Sequence, residues 1–207
     1  SVCITALAAC FAMNNPPEDL RMVMIDSKMG ELLRFNGLPH LYGKVETNVE
    51  RILGVLRWVV VEMDHRYRLL EGARVRDLVA YNRRVSKKKD GVTLPRIVVL
   101  IDELADLMMS AHDQTEHNLV RLAQMARATG IHLIVATQRP STDVVTGLIK
   151  ANIPARLAFA WRGNIAGARR YVILEPGKRH ACTRAGSDDH RHGDRADHRA
   201  LAEECRI

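Results

Sequence analysis

The sequence predicts an α/β protein with a mostly parallel sheet. Short apolar runs alternate with segments of helical periodicity, as in chains where a helix connects each strand to the next. The apolar runs are continuous, which is typical of strands buried on both faces of a parallel sheet. One of them, "RIVVLI" at residues 96–101, ends at two adjacent carboxylates, Asp102 and Glu103. The end of this strand is therefore the first place to look for chemistry.

Composition sets the class of protein and its possible partners. The chain has 207 residues, a formal net charge of +7 and only 4% aromatic residues, so its core must be aliphatic. A basic balance favours polyanionic partners, but an ordinary solvated basic surface is equally compatible with it. The four cysteines form no C-x-x-C pair, which indicates a reducing compartment. No apolar run reaches the roughly 18 residues of a membrane-spanning helix.

The first part of the chain is predicted to form a helix, a strand and a long helix. A helix at 2–13 stops at the breaker "NNPP", and a short buried strand follows at 21–26. Residues 47–50, "TNVE", have the spacing of a capping box, so a helix is expected to start at this box. Its periodicity continues to Gly72, a plausible stop.

The second part is predicted to alternate between helices and strands. A shorter helix at 75–85 precedes the strand at 97–101, and further strands are expected at 131–137 and 155–160. The helix between the first two of these strands has apolar residues at helical spacing and closes at Gly130. These face residues are Leu119, Leu122, Ala123 and Ala126.

The residues at the strand ends suggest nucleotide chemistry. Ligands of parallel sheets bind beyond the carboxyl ends of the strands. An apolar strand followed by Asp-Glu resembles the Walker B element of P-loop ATPases, in which Asp102 would hold magnesium and Glu103 would orient the attacking water. The alternative is a pair of acids that cap the next helix. Gln138, after the next strand, could reach a γ-phosphate or simply mark the strand's exit.

Longer stretches resemble the motor domain of the FtsK/SpoIIIE family of DNA translocases. The resemblance rests on "VVLIDELADLMM", "RLAQMARATGIHLIVATQRPS" and "DVVTGLIKANIPARLAF", and it covers about residues 1–160. It implies a RecA-like P-loop ATPase core that uses ATP and magnesium. It also implies a homo-oligomeric, hexameric ring that pumps double-stranded DNA through its pore. "TQRPS" followed by "GLIKANIP" favours this family over secretion and conjugation ATPases, which remain an alternative.

The resemblance assigns roles to individual residues. It makes Asp102 the Walker B aspartate, Glu103 the catalytic glutamate and Gln138 the sensor. Arg127, in "MARATG", matches the position at which related ring motors carry an arginine finger that acts on the neighbouring subunit's nucleotide. An ordinary surface arginine is an equally good interpretation of Arg127.

The same resemblance suggests where DNA is gripped. Duplex DNA in a pore is held mainly through its phosphates, by Lys, Arg and backbone amides. The segment after Gln138 should face the pore, with Arg139, Thr142 and Lys150 as candidates. Lys150 could instead be a helix-end lysine that pairs with the helix dipole. Sequence recognition in the family belongs to a separate winged-helix module, so no base specificity is expected here.

The sequence departs from the family at its beginning. It contains no G-x-x-x-x-G-K-[ST] string, the phosphate-binding loop of P-loop ATPases. Ser1 resembles the last residue of that loop and would join Asp102 as a magnesium ligand, unless a serine at this position is coincidence. An N-terminally truncated fragment, inactive by itself, is therefore expected. The family places the missing strand between the sensor strand and the 155–160 strand. Without it, the facing edges of these two strands would remain unpaired.

The end of the sequence departs as well. Residues 161–207 lose the resemblance and are expected to form an irregular, disordered tail, through a frameshift or an unrelated fusion. The spacing of Cys182, His190, His192, His198 and Cys205 matches no zinc pattern. The longer protein is expected to act in the cytoplasm at the inner face of the bacterial membrane. The membrane anchor would lie outside this segment.

Overall fold

The computed structural model describes residues 2–88, 91–159 and 170–174, which form one sheet flanked by helices. The helices are α1 (Val2–Asn14), α2 (Val49–Gly72), α3 (Leu78–Val85), α4 (Leu104–Met125) and α5 (Gly147–Asn152), with 3-10 turns at Glu31–Phe35 and Ala126–Thr129. The strands are β1 (Leu20–Ile25), β2 (Arg96–Ile101), β3 (Ile131–Thr137), β4 (Ala155–Phe159) and β5 (Arg170–Leu174). Within this described part, no helix is both long and apolar enough to cross a bilayer.

The sheet is mostly parallel, as the sequence predicts. Its strand order is β1-β2-β3-β5-β4. β1, β2 and β3 run parallel, with Ile25 beside Ile101 and Ile101 beside Val135. β4 shares their direction because β4 and β3 are both antiparallel to β5. The carboxyl ends of β1, β2 and β3 therefore lie together, and this end of the sheet is called the carboxyl edge below.

The position of β5 corrects two expectations from the sequence. Residues 161–207 were expected to lack regular structure, but Arg170–Leu174 forms a strand. This strand lies between β3 and β4, the position assigned to a missing strand, and pairs with both. The expectation that the edges of β3 and β4 remain unpaired is therefore wrong for this structure. The physical reason is the run "YVIL", whose aromatic and β-branched residues favour extended backbone.

The remainder of the predicted tail lies outside the described residues. This applies to residues 160–169 and 175–207, and so to the candidate metal-ligating residues within them. Ser1 also lies outside the described residues.

The core is aliphatic and occupies both faces of the sheet. On one face, side chains of β2 and β3 pack against α2 and α4; these include Ile97, Val99, Ile101, Leu133 and Val135. On the other face, the alternate side chains pack against α1 through Ile4 and Ala8; these include Met22, Met24, Val98, Leu100 and Ile134. This alternation explains why the strands appear as continuous apolar runs in the sequence.

Two helix starts differ from the prediction because a neighbouring residue provides the cap. α2 is capped by Asn48 rather than by Thr47, because Asn48 Oδ1 accepts hydrogen bonds from the amides of Glu50 (3.0 Å) and Arg51 (3.3 Å). α3 begins at Leu78 rather than at residue 75, because Asp77 Oδ1 accepts from the Ala80 amide at 2.8 Å. The predicted stop of α2 at Gly72 is confirmed.

Helix α4 is interrupted once and ends in a close approach. Ala111 has φ −155° and ψ 65°, so the helix kinks there. The 3-10 turn after α4 closes at Gly130, as predicted, with a left-handed φ of 73°. A Cβ atom at Gly130 would lie 2.2 Å from Leu78 Cδ2, so a larger side chain would have to displace Leu78 and would also be strained by the positive φ. Gly130 thereby lets α3 pack against the start of β3.

A buried arginine fastens α2 to the amino end of the sheet. Arg66 is 1% exposed. Its Nη1 donates to the carbonyls of Pro95 (2.8 Å) and Thr129 (3.0 Å), the residues before β2 and near the start of β3. Its Nε pairs with Glu62 Oε1 at 2.8 Å. Periodicity alone does not reveal such a residue, because an arginine on a helix is ordinarily exposed.

Candidate active site

Buried carboxylates collect at the carboxyl edge of the sheet. Asp26 follows β1, and Asp102 and Glu103 follow β2; their exposed fractions are 0%, 7% and 1%. The Asp102 amide donates to the Ile25 carbonyl at 3.1 Å, which holds the ends of β1 and β2 together. Acids this deeply buried require hydrogen bonds or counter-charges, so partners for them are expected at this edge.

Glu103 makes hydrogen bonds to both neighbouring segments of this edge. Its Oε1 accepts from the Thr137 hydroxyl at 2.6 Å, and both its oxygens lie 3.2 Å from the Gln138 amide. Oε1 also accepts from the Ala105 amide at 3.3 Å, so Glu103 does cap α4, as one of the two interpretations of the sequence holds. A helix cap does not require the contacts with Thr137 and Gln138. These two contacts hold the Glu103 carboxylate between the ends of β2 and β3.

A lysine from the loop after β1 completes the surroundings of Glu103. Lys28 Nζ lies 3.0 Å from Glu103 Oε2, and the lysine side chain is 43% exposed. The adjacent Ser27 hydroxyl donates to Asp106 Oδ2 at 2.8 Å, which ties the loop to the first turn of α4. No motif in the sequence points to Lys28. The one local sign of its role is that a basic residue follows closely after the buried strand β1.

Asp26 is a second residue that the sequence analysis did not assign to the site. Its Oδ2 accepts from the Leu32 amide at 3.2 Å, whereas its Oδ1 is buried without a hydrogen-bond partner. A Cβ atom at Gly30 would lie 3.5 Å from both carboxylate oxygens. The loop after β1 thus passes close to a second buried acid.

Gln138 reaches the site through its backbone. Its amide contacts Glu103, while its side chain is exposed beyond the end of β3. The structure therefore brings Asp102, Glu103 and Gln138 to the same edge, as the strand-end reasoning predicts. The sensor role of the Gln138 side chain remains a prediction.

The three candidate DNA contacts lie on the segment that follows β3. Arg139 is exposed, and its Nη1 lies 3.5 Å from Met109 Sδ on α4. Thr142 is exposed, and Lys150 is half-buried on α5. Two of these three side chains are therefore open to a partner on the surface.

This segment is anchored rather than loose. Val144 and Val145 are 5% and 4% exposed and join the core between α4 and the sheet. Thr146 caps α5, and its hydroxyl also donates to Glu116 Oε1 on α4. Arg139 and Thr142 are thus presented by a loop that is held at both ends.

Arg127 lies away from the other candidates. It is exposed in the 3-10 turn before β3, at the amino edge of the sheet. The seven residues of β3 separate this edge from the carboxyl edge by roughly 20 Å. Burial, together with the charges of Arg96 and Arg127, lowers the pKa of His132. Within one chain, Arg127 does not approach Glu103.

Asp102 offers a carboxylate, the kind of oxygen ligand that magnesium takes in its complexes with nucleotides. Magnesium prefers oxygen ligands and commonly takes one or two carboxylates, with water and phosphates completing its shell. Among the described residues there is no group of three or more ligating side chains that could hold a metal. α1 precedes β1 directly and packs against the sheet face that carries Met24, so the helix and the strand run in opposite directions. The amino end of α1, near Ile4, therefore lies at the carboxyl edge, with the positive end of the helix dipole there.

A mostly parallel sheet with paired acids at its carboxyl edge is the arrangement of a RecA-like P-loop ATPase core. The model of the FtsK/SpoIIIE family matches residues 1–142. The chain belongs to the FtsK/SpoIIIE family.

Curated relatives agree with this assignment. The chain is 50% identical over 160 residues to the DNA translocase FtsK of Clostridium acetobutylicum, covering 77% of this chain and 21% of that protein. It is 48% identical over 160 residues to the DNA translocase SftA of Bacillus subtilis, covering 77% and 17%. The chain thus spans about a fifth of the length of the curated relatives it matches.

Solved structures agree on the fold. The conjugation coupling protein TcpA, in a monomer form with ATPγS, is 30% identical with a TM-score of 0.54, over 67% of this chain and 40% of TcpA. Two ATPase domains of EssC from Geobacillus thermodenitrificans superpose with a TM-score of 0.61 at 16% identity, over 86% and 38%. At that identity the similarity to EssC shows the fold alone.

Proposed function

We propose that this chain is part of a motor that uses ATP hydrolysis to move double-stranded DNA. The observation that carries the proposal is Glu103, buried and oriented by β3 at the edge where parallel sheets bind ligands. Family membership supplies the substrate: the curated relatives described above are named DNA translocases. The proposal that this chain helps to move DNA therefore rests on family membership.

In the proposed mechanism, Glu103 acts as the general base. Its carboxylate accepts the proton of a water molecule as that water's oxygen attacks the γ-phosphorus, and the bond to the β–γ bridging oxygen breaks to release ADP. The Thr137 hydroxyl and the Gln138 amide keep the carboxylate oriented towards the edge. The Gln138 side chain, exposed at this edge, would sense the γ-phosphate.

Magnesium would be held by Asp102, together with the hydroxyl of Ser1. Bound there, the ion would neutralise phosphate charge and help to orient the nucleotide. Asp26 and Asp102 follow the neighbouring strands β1 and β2 and offer the oxygen ligands that magnesium prefers, which supports a divalent cation at this edge.

The motor is proposed to work as a homo-oligomeric ring, with a hexamer as the expected form. Arg127 would act on the nucleotide of the neighbouring subunit. Its position at the amino edge, remote from Glu103 of the same chain, favours action in trans over action in cis. Arg139, Thr142 and Lys150 would contact DNA phosphates in the pore, without reading bases.

The 207-residue polypeptide by itself is proposed to be a poor ATPase, or at most a module that binds DNA or a neighbouring subunit. The sequence has no G-x-x-x-x-G-K-[ST] string, whose backbone amides would cradle the phosphates. The intact protein is proposed to act in the cytoplasm, at the inner face of the membrane.

A second candidate is a motor for conjugation or protein secretion. It is favoured by the 30% identity to the conjugation coupling protein TcpA. The higher identity to DNA translocases, 48–50%, favours the first proposal.

The test is ATP hydrolysis by the intact protein with and without duplex DNA. We expect DNA to stimulate hydrolysis, and we expect Glu103→Gln to abolish turnover while ATP binding persists. Glu18→Gln, a change at an exposed acid, is the matched control and should behave as wild type. Normal turnover in Glu103→Gln would remove the proposed base, and stimulation by a secreted polypeptide rather than by DNA would favour the second candidate.

A further inference from the structure

The carboxylate of Glu103 is fully engaged in this structure. A carboxylate offers about four acceptor sites. Oε2 faces the Lys28 ammonium, Oε1 accepts from Thr137 and Ala105, and the Gln138 amide approaches both oxygens. A water molecule that is to lose a proton to Glu103 needs one of these sites. One donor must therefore withdraw before Glu103 can act as a base.

Of these four donors, Lys28 is the one that can withdraw without disturbing the fold. Thr137 is 1% exposed and lies at the end of a central strand. Gln138 and Ala105 donate through their backbone amides. The Lys28 side chain is 43% exposed and ends a flexible four-carbon stem.

The loop after β1 is shaped to present Lys28. Met29 has a left-handed φ of 50°, which is uncommon for a residue other than glycine, and its amide donates to the Asp26 carbonyl at 3.2 Å. On the other side of Lys28, Ser27 is bound to Asp106 at the start of α4. Strained backbone of this kind concentrates at functional sites, where surrounding contacts maintain it.

We infer that Lys28 is a positioning residue that holds Glu103 while the site lacks nucleotide and shifts its ammonium to the phosphates when nucleotide binds. This inference rests on the proposed function. A triphosphate carries more negative charge than one carboxylate, and the compact ammonium group of lysine is a common phosphate ligand. The shift frees Oε2 of Glu103 for the attacking water. The base thus becomes available only in a loaded site.

The inference makes a specific prediction about nucleotide affinity. If binding must break the Lys28–Glu103 pair, then removing the charge of Glu103 should tighten binding, and only while Lys28 is present. The experiment measures equilibrium binding of ATPγS with magnesium to the intact protein. It compares wild type, Glu103→Gln, Lys28→Met and the double variant.

Glu103→Gln should bind ATPγS about fivefold more tightly than wild type, which is the effect of one lost ion pair. In the Lys28→Met background, the same change should leave affinity unaltered. Lys28→Arg, which keeps the charge, should restore the dependence on Glu103. Lys44→Met, a change at an exposed lysine in the loop before α2, is the control and should match wild type.

The outcomes separate this inference from the proposed function. An equal effect of Glu103→Gln with and without Lys28 overturns the inference and leaves the motor proposal intact, as does the absence of any effect in both backgrounds. Failure of the intact wild-type protein to bind ATPγS at all overturns both.

Discussion

The Thr137 hydroxyl donates a 2.6 Å hydrogen bond to Glu103 Oε1 and so joins the end of β3 to the end of β2. Both residues are 1% exposed, and they are separated by 34 positions in the chain. The orientation of the proposed base is therefore determined by the neighbouring strand and not only by its own.

Thr137→Val should lower the turnover of the intact protein about tenfold. The substitution keeps the shape of the side chain and removes the hydrogen bond to the charged Glu103, a contact of about 1.5 kcal/mol or more, together with the acceptor of the Arg139 amide (3.1 Å). Steady-state ATP hydrolysis measures the effect, with Thr137→Ser as the variant that keeps the hydroxyl. Equal turnover of the Val and Ser variants would show that this contact does not orient the base.

DNA binding by the intact protein should weaken steeply with salt and should not depend on base sequence. Phosphate contacts release counterions, so log affinity should fall linearly with log salt. Lys150→Ala should reduce the magnitude of this slope by about one on every duplex tested. Fluorescence anisotropy at several salt concentrations provides the measurement. A flat response to salt, or a strong preference for one duplex, would argue against phosphate contacts by the segment after β3.

The stability of the chain should fall as the pH drops below about 6.5. Burial, Arg96 and Arg127 lower the pKa of His132 below its ordinary value of 6.5 in the folded chain. The unfolded chain then takes up a proton at His132 before the folded chain does, so acid favours unfolding. Urea denaturation between pH 8 and pH 5 should show a smaller loss of stability in His132→Gln than in wild type. An identical loss in both proteins would contradict this assignment.

Arg66→Met should destabilise the fold by about 3 kcal/mol. The variant keeps an apolar stem but leaves the buried carbonyls of Pro95 and Thr129 without their donor. Arg68→Met, on the exposed side of α2, should change the free energy of unfolding by less than about 0.5 kcal/mol. Chemical denaturation of the two variants makes the comparison. Similar losses in both would mean that the buried contacts of Arg66 contribute little.

Val172→Pro should destabilise the part of the sheet around β4. Proline removes a backbone donor from β5, which is paired on both sides, with Ala136 opposite on β3 and Leu157 opposite on β4. Each unsatisfied buried group costs about 1–3 kcal/mol. Hydrogen exchange of the amides of β3 and β4 should accelerate in the variant. Unchanged protection of both strands would show that β5 does not support them.

Sequence patterns predicted the features that depend on neighbours along the chain. The apolar run before Asp102 and the end of the helical period at Gly72 are visible in the local sequence, and the closing role of Gly130 follows from the tolerance of glycine for a left-handed φ. The pairing of Lys28 with Glu103 spans 75 positions, and no local pattern encodes it. The burial of Arg66 is equally non-local, because it depends on carbonyls that two other segments supply.

The strand between β3 and β4 shows a different limit of sequence reasoning. "YVIL" is short and is flanked by basic residues and by Pro176, so by itself it does not stand out from a polar tail. Its pairing becomes favourable only because two apolar strands offer their backbone groups on either side. The tertiary context, and not the local composition, makes this segment a strand.

The kink at Ala111 divides α4 into two rods with different attachments. The first rod is bound to the loop after β1 through Ser27 and Asp106. The second is bound to the segment after β3 through Glu116 and Thr146. The loop after β1 and the segment after β3 are therefore held by different halves of α4, with the break in the helix between their points of attachment.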